Sequence, residues 1–73
     1  MIEVRLFASF REGREKISFL DPKEFKTIAD IADHFNIPYE ELAISLINGK
    51  HSHIDSTVNE GDIVALFPPV GGG

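Results

Sequence analysis

Ile63-Val64-Ala65-Leu66-Phe67-Pro68-Pro69-Val70-Gly71-Gly72-Gly73 closes the chain, and its reading decides the fold. Five consecutive apolar residues form a short strand with two apolar faces, and two prolines follow at once. Each proline fixes φ and lacks the N–H that a ladder needs, so the strand stops at Phe67. Residues 68–73 then leave the sheet as a stiff arm ending in three residues without side chains. No charged residue occurs between Ile63 and Gly73, although 26% of the chain is charged. The chain therefore divides into a domain at 1–67 and a C-terminal tail at 68–73.

The rest of the sequence supplies the partners of that strand. Ile2, Val4 and Leu6 alternate with Glu3, Arg5 and Phe7, the period of a half-buried strand over about 2–8. Arg11-Glu12-Gly13-Arg14-Glu15 reads as a charged turn, and Lys16-Ile17-Ser18-Phe19-Leu20 as the second arm of a hairpin ended by Asp21-Pro22. Thr27 then caps an amphipathic helix, about 28–35, with Ile28, Ile31, Ala32 and Phe35 on one stripe and Asp30 as capping-box partner. Asn36-Ile37-Pro38 interrupts it, and Pro38 opens a short turn through Leu42. Asn48-Gly49 joins Ile44–Ile47 to a strand over 50–54, since both residues tolerate positive φ. The order β-β-α-β-β-β with one principal helix predicts an α+β fold of the β-grasp kind. Its five-stranded mixed sheet carries the helix on one face, with the first and last strands parallel in the middle.

Length and charge narrow the function. A domain of 73 residues has a thin core, which argues against catalysis by this chain alone. A net charge of −5 disfavours nucleic acid and anionic lipid as partners. The start of the chain lacks the basic and apolar regions of a signal peptide, and no apolar run approaches a membrane span, so the expected location is the cytoplasm. There is no cysteine, and His51 and His53 have no further ligand near them in sequence, so no metal site is expected. Glycine-rich phosphate-binding motifs are missing, and any ATP is bound by another protein.

The tail is where chemistry remains. A terminal carboxylate is ionised at neutral pH and is a poor electrophile until it is activated, usually as an acyl-adenylate. Six extended residues reach at most about 20 Å, enough to carry that carboxylate into another protein's cleft, and glycines fit a narrow channel.

Three segments resemble the β-grasp sulfur carriers, ubiquitin-like proteins that include the small subunit of molybdopterin synthase and the thiamine-pathway carrier. Phe7-Ala8-Ser9-Phe10-Arg11-Glu12 looks like the first-strand segment of the molybdopterin subunit. Glu60-Gly61-Asp62-Ile63-Val64-Ala65 looks like the family's turn into the last strand, and Leu66-Phe67-Pro68-Pro69-Val70 with its glycines looks like the family's ending. The resemblance implies that Gly73 is adenylated by an E1-like enzyme using ATP and becomes a thiocarboxylate. It also implies that Gly72 completes the Gly-Gly pair, and that Phe67, Pro68, Pro69, Val70 and Gly71 help to dock the tail. The partners implied are that enzyme and the large subunit of molybdopterin synthase, or a thiazole synthase in the thiamine pathway. A third branch, the prokaryotic ubiquitin-like modifiers, joins the same terminus to lysines.

Both faces of the last strand are apolar and the helix covers one, so the other face, extended by Phe7, is expected to be a docking patch. Glu3, Glu60 and Asp62 are the expected steering charges, which would call for a basic partner rim.

Overall fold

A computed structural model describes residues 1–69. Strands β1 (Ile2–Leu6) and β2 (Ile17–Leu20) precede the helix α1 (Ile28–His34), and β3 (Ile44–Ile47), β4 (Lys50–His51) and β5 (Ile63–Phe67) follow it. The strands form one sheet in the order β2-β1-β5-β3-β4. Only the central β1–β5 pair is parallel, in register from Glu3–Ile63 to Leu6–Leu66, and the neighbouring pairs are antiparallel. This is the β-grasp fold.

Alternation in β1 and β5 builds the core. Ile2, Val4, Leu6, Val64 and Leu66 are all fully buried on the inner face, against Ile28, Ile31 and Ala32 of α1. At about 1.5–3 kcal/mol for each fully buried large aliphatic side chain, these residues supply much of the drive to fold. The helix begins at the expected cap: Thr27 Oγ1 accepts from the Asp30 amide at 3.3 Å, and an Asp30 carboxylate oxygen accepts from the Thr27 amide at 3.1 Å. It ends by a Schellman arrangement, with Asn36 at φ +58°, the Ile37 amide donating to Ala32 and the Asn36 amide to Asp33. Ile37 is buried immediately beyond. Pro38 lies just before the next turn, Tyr39–Glu41, in extended backbone rather than at its first position.

Two strands are shorter than the sequence pattern predicts. The first ends at Leu6 because Ala8, at φ +53°, bends the chain into a 3-10 turn, Ala8–Arg11. That turn carries Phe10 back into the core, and burying a large aromatic offsets the small cost of a left-handed alanine. The charged turn expected at 11–15 is thus part of a longer loop. The strand expected over 50–54 pairs only through His51. Beyond Ser52, which is tied to Ser45 through both hydroxyls, the chain turns so that the carbonyls of Ile54 and Ser56 accept the first amides of α1. These amides have no acceptor within the helix, and their demand outweighs continuation of an edge ladder.

Candidate functional site

The turn at Glu60-Gly61-Asp62 sets the start of β5. Gly61 has φ +85°, which disfavours any residue with a Cβ, and its amide donates to the Met1 carbonyl. Asp62 accepts from the Asn59 amide through one carboxylate oxygen and from the Asn48 side-chain amide through the other, at 2.8 and 3.0 Å. Asn48 in turn accepts from the Ile63 amide at 2.9 Å. The β3–β4 turn, the β5 entry and the N-terminus, whose ammonium pairs with Glu60, are therefore tied together at one end of the sheet.

The tail leaves from the other end. β1 and β5 run parallel and in register, so Phe7 and Phe67 emerge side by side on the uncovered face. Their rings stack with centroids 4.4 Å apart and 11° between planes. The backbone around the stack is held: the Phe7 amide donates to Leu66 and the Ala43 amide to Phe67. The Arg11 guanidinium carbon sits 5.1 Å from the centroid of the Phe7 ring, and its Nε donates to the Leu6 carbonyl at 2.8 Å. Pro68 is half-buried and Pro69 exposed at the point of exit.

The expected apolar outer face is present. Ile63 and Ile44 are exposed, while Ala65 and Phe67 are partly covered. It reaches further than the sequence reading placed it, because β2 turns Ile17 and Phe19 outward, with Phe19 63% exposed. The parity of β2 could have shown this: Leu20 is the buried residue, so Ser18 shares its face and Phe19 does not. Of the residues expected at the partner interface, Phe7 and Phe67 stack here and Pro68 and Pro69 follow directly in the chain, whereas Val70, Gly71 and Gly72, like the expected reacting residue Gly73, lie outside the described residues.

Two of the expected steering charges are misplaced, while Glu3 stands on the outer face of β1 as expected. Glu60 and Asp62 precede β5, about 13 Å of strand away from the tail exit. Both are occupied within the fold, and Glu3 pairs with Arg5 at 2.5 Å. The charges beside the Phe7–Phe67 stack are positive instead: a cleft of about 370 Å³ there is lined by Arg5, Leu6, Phe7, Arg11, Lys16 and Ile17. Sequence reasoning took Arg11 for a turn charge, since only the 3-10 turn folds it back over Phe7. His51 and His53 are both exposed, and only His51 lies on a strand. Among the described residues no three His, Asp or Glu side chains converge on a metal-sized point, and no helix is long and apolar enough to cross a membrane. Among the described residues Tyr39 is held above the usual phenol value, chiefly by the neighbouring Asp33 carboxylate.

A five-stranded mixed sheet with one helix on one face, its central strand ending just before Pro68-Pro69, defines a ubiquitin-like protein. The chain belongs to the ThiS family, whose model matches residues 4–73. It is similar to small archaeal modifier protein 3 of Haloferax volcanii, 32% identical over 91 aligned positions that take in 99% of this chain and 98% of the relative. Among solved structures it resembles SAMP1 of Haloferax volcanii, with TM-score 0.75 and 27% identity over 99% of this chain and 98% of that one. A chain in the complex of subunits 1 and 2 of the molybdopterin-converting factor of Helicobacter pylori 26695 shares the fold, with TM-score 0.64 and 19% identity over 99% and 97% of the two chains. The protein is thus a ubiquitin-like sulfur carrier or protein modifier.

Proposed function

We propose that the chain is a sulfur carrier whose Gly73 carboxylate is the reacting group. The carboxylate attacks the α-phosphate of ATP on an E1-like partner and releases pyrophosphate. Hydrosulfide then adds to the acyl carbon and displaces AMP, losing its proton to solvent, to leave a thiocarboxylate. The chain donates this sulfur as the small subunit of molybdopterin synthase, with the large subunit as its second partner. ATP is held by the activating enzyme, and this chain contributes delivery and docking.

The observation that supports this most is the exit of β5 beside Phe7. The central strand is held in register with β1, an aromatic stack marks its end, and two prolines, each with a fixed φ, follow at once. Holding the reacting end within about 3–3.5 Å of its partner atom is the part of acyl activation that a small carrier can supply. The F-A-x-x-R-E segment at Phe7–Glu12 and the ending at Phe67–Val70 favour the pterin branch over the thiazole branch.

A second reading is favoured by the 32% identity to a modifier protein along nearly the whole chain. There a lysine amine, rather than sulfur, displaces AMP from the same adenylate and forms an isopeptide bond. The test is to mix the full chain with the adenylating enzyme encoded in its own genome and ATP, and to follow pyrophosphate. Chain-dependent release supports activation at the terminus, and its absence overturns both readings. Glycine remnants on lysines of other cellular proteins, without transferred sulfur, would replace the carrier reading with the modifier one.

A further inference from the structure

The cleft beside the Phe7–Phe67 stack gathers three of the chain's seven Lys and Arg residues, Arg5, Arg11 and Lys16, on a protein of net charge −5. Its walls are apolar where Phe7 and Ile17 line it. The three cations are not equivalent. Arg5 is already paired with Glu3. Arg11 is fixed at two points, by its bond to the Leu6 carbonyl and its seat over the Phe7 ring, and both use its inner atoms and flat face. Among the described residues no acceptor occupies its terminal nitrogens or the Lys16 ammonium.

A guanidinium held this way has already lost the freedom that a flexible arginine gives up on binding, and its outer edge matches a carboxylate in two parallel hydrogen bonds. Lys16 adds a second positive charge at the mouth. Carbonyl, hydroxyl or cationic ligands would leave that charge unused, and a purely apolar ligand would bury it unpaired, which is costly.

We infer that this cleft receives an acidic segment of the protein that accepts the tail, with an aspartate or glutamate carboxylate on Arg11 and Lys16 and an apolar neighbour against Phe7 and Ile17. This deepens the carrier reading, on which it rests for the existence of a tail-accepting partner. It also reverses the charge expected of the partner from net charge alone: the contact beside the tail root is acidic on the partner's side. The cleft adjoins the stack at the root of the arm, so one partner surface can engage both at once, and the charged contact then fixes the direction from which the tail enters.

The test needs neither enzyme nor ATP. The full chain, labelled with nitrogen-15, is titrated with two short capped peptides, one alternating Glu with Leu and one alternating Lys with Leu. The acidic peptide is expected to shift the amide signals of Phe7, Arg11, Lys16 and Ile17, and the basic peptide to leave them in place. Lys16→Glu, which alters an exposed side chain without a partner, should weaken acidic-peptide binding by about tenfold or more while the remaining spectrum keeps its dispersion. Equal shifts with both peptides, shifts centred elsewhere, or unchanged affinity in Lys16→Glu would overturn the assignment. So would a tenfold gain in affinity on removing residues 70–73, because the chain's own end would then be the occupant. Failure of this titration leaves terminal adenylation standing, and failure of adenylation leaves the titration result intact.

Discussion

Leu6 and Leu66 face each other in the parallel central pair, both fully buried, and that pairing decides where the arm begins. One residue further along each strand, the same register delivers Phe7 and Phe67 to the opposite face, where they stack. Core and docking surface are consecutive positions of the same two strands, so substitutions at neighbouring residues should separate stability from function cleanly.

Leu66→Ala is expected to cost about 2–5 kcal/mol, the range for emptying a filled aliphatic site. Phe7→Ser should lose less stability, because Phe7 is only partly covered and its stack contributes about 0.5–1.5 kcal/mol beyond burial. Affinity for the activating enzyme should fall most with Phe7→Ser. Chemical denaturation and a binding titration on both variants decide this, and the reverse order would make Phe7 a core residue.

Removing Gly73, or adding a residue after it, should abolish adenylation without unfolding the domain. Pro68 and Pro69 already lie outside the ladder. The unfolding midpoint should therefore move by less than the roughly 4–8 °C that 1 kcal/mol produces in a domain of this size. Normal pyrophosphate release by either variant would refute the assignment of Gly73.

Asn48→Ala should destabilise the domain by about 1–3 kcal/mol, since it leaves the Ile63 amide and one Asp62 oxygen without their partner. The loss should show first as faster hydrogen exchange at Ile63, at the end of β5 remote from the tail. Unchanged exchange there would mean that water replaces the asparagine at no cost.

Tyr39 is the chain's one tyrosine and there is no tryptophan, so its ultraviolet titration is free of overlap. The phenol should titrate above 10, and Asp33→Asn should bring it back toward that value. A neutral phenol favoured by the fold contributes stability that is fully present below the unfolded pKa and is lost as pH rises through the folded one, so only alkaline stability should respond. Identical titrations in the two proteins would remove Asp33 as the cause.

Much of this was legible in the sequence because it rests on local chemistry. Thr27 and Asp30 announce their helix, Asn48-Gly49 its hairpin, and Pro68-Pro69 the end of the last strand. What stayed hidden depends on distant demands. Ala8 gives no turn signal and is bent only because Phe10 has a place in the core. The strand after His51 stops because α1 needs the carbonyls of Ile54 and Ser56. The cationic cleft follows from the first of these: Arg11 reaches Phe7 through that turn, and the alternation of charges along residues 11–16 carries no sign of it.

The central claim is that the Gly73 carboxylate becomes a thiocarboxylate, and intact mass after reaction with the adenylating enzyme, ATP and a sulfur donor tests it most directly. The account predicts a gain equal to the exchange of one oxygen for sulfur, located at Gly73 by fragmentation and lost when ATP is withheld. An unchanged terminus, or sulfur found on any other residue, would contradict it.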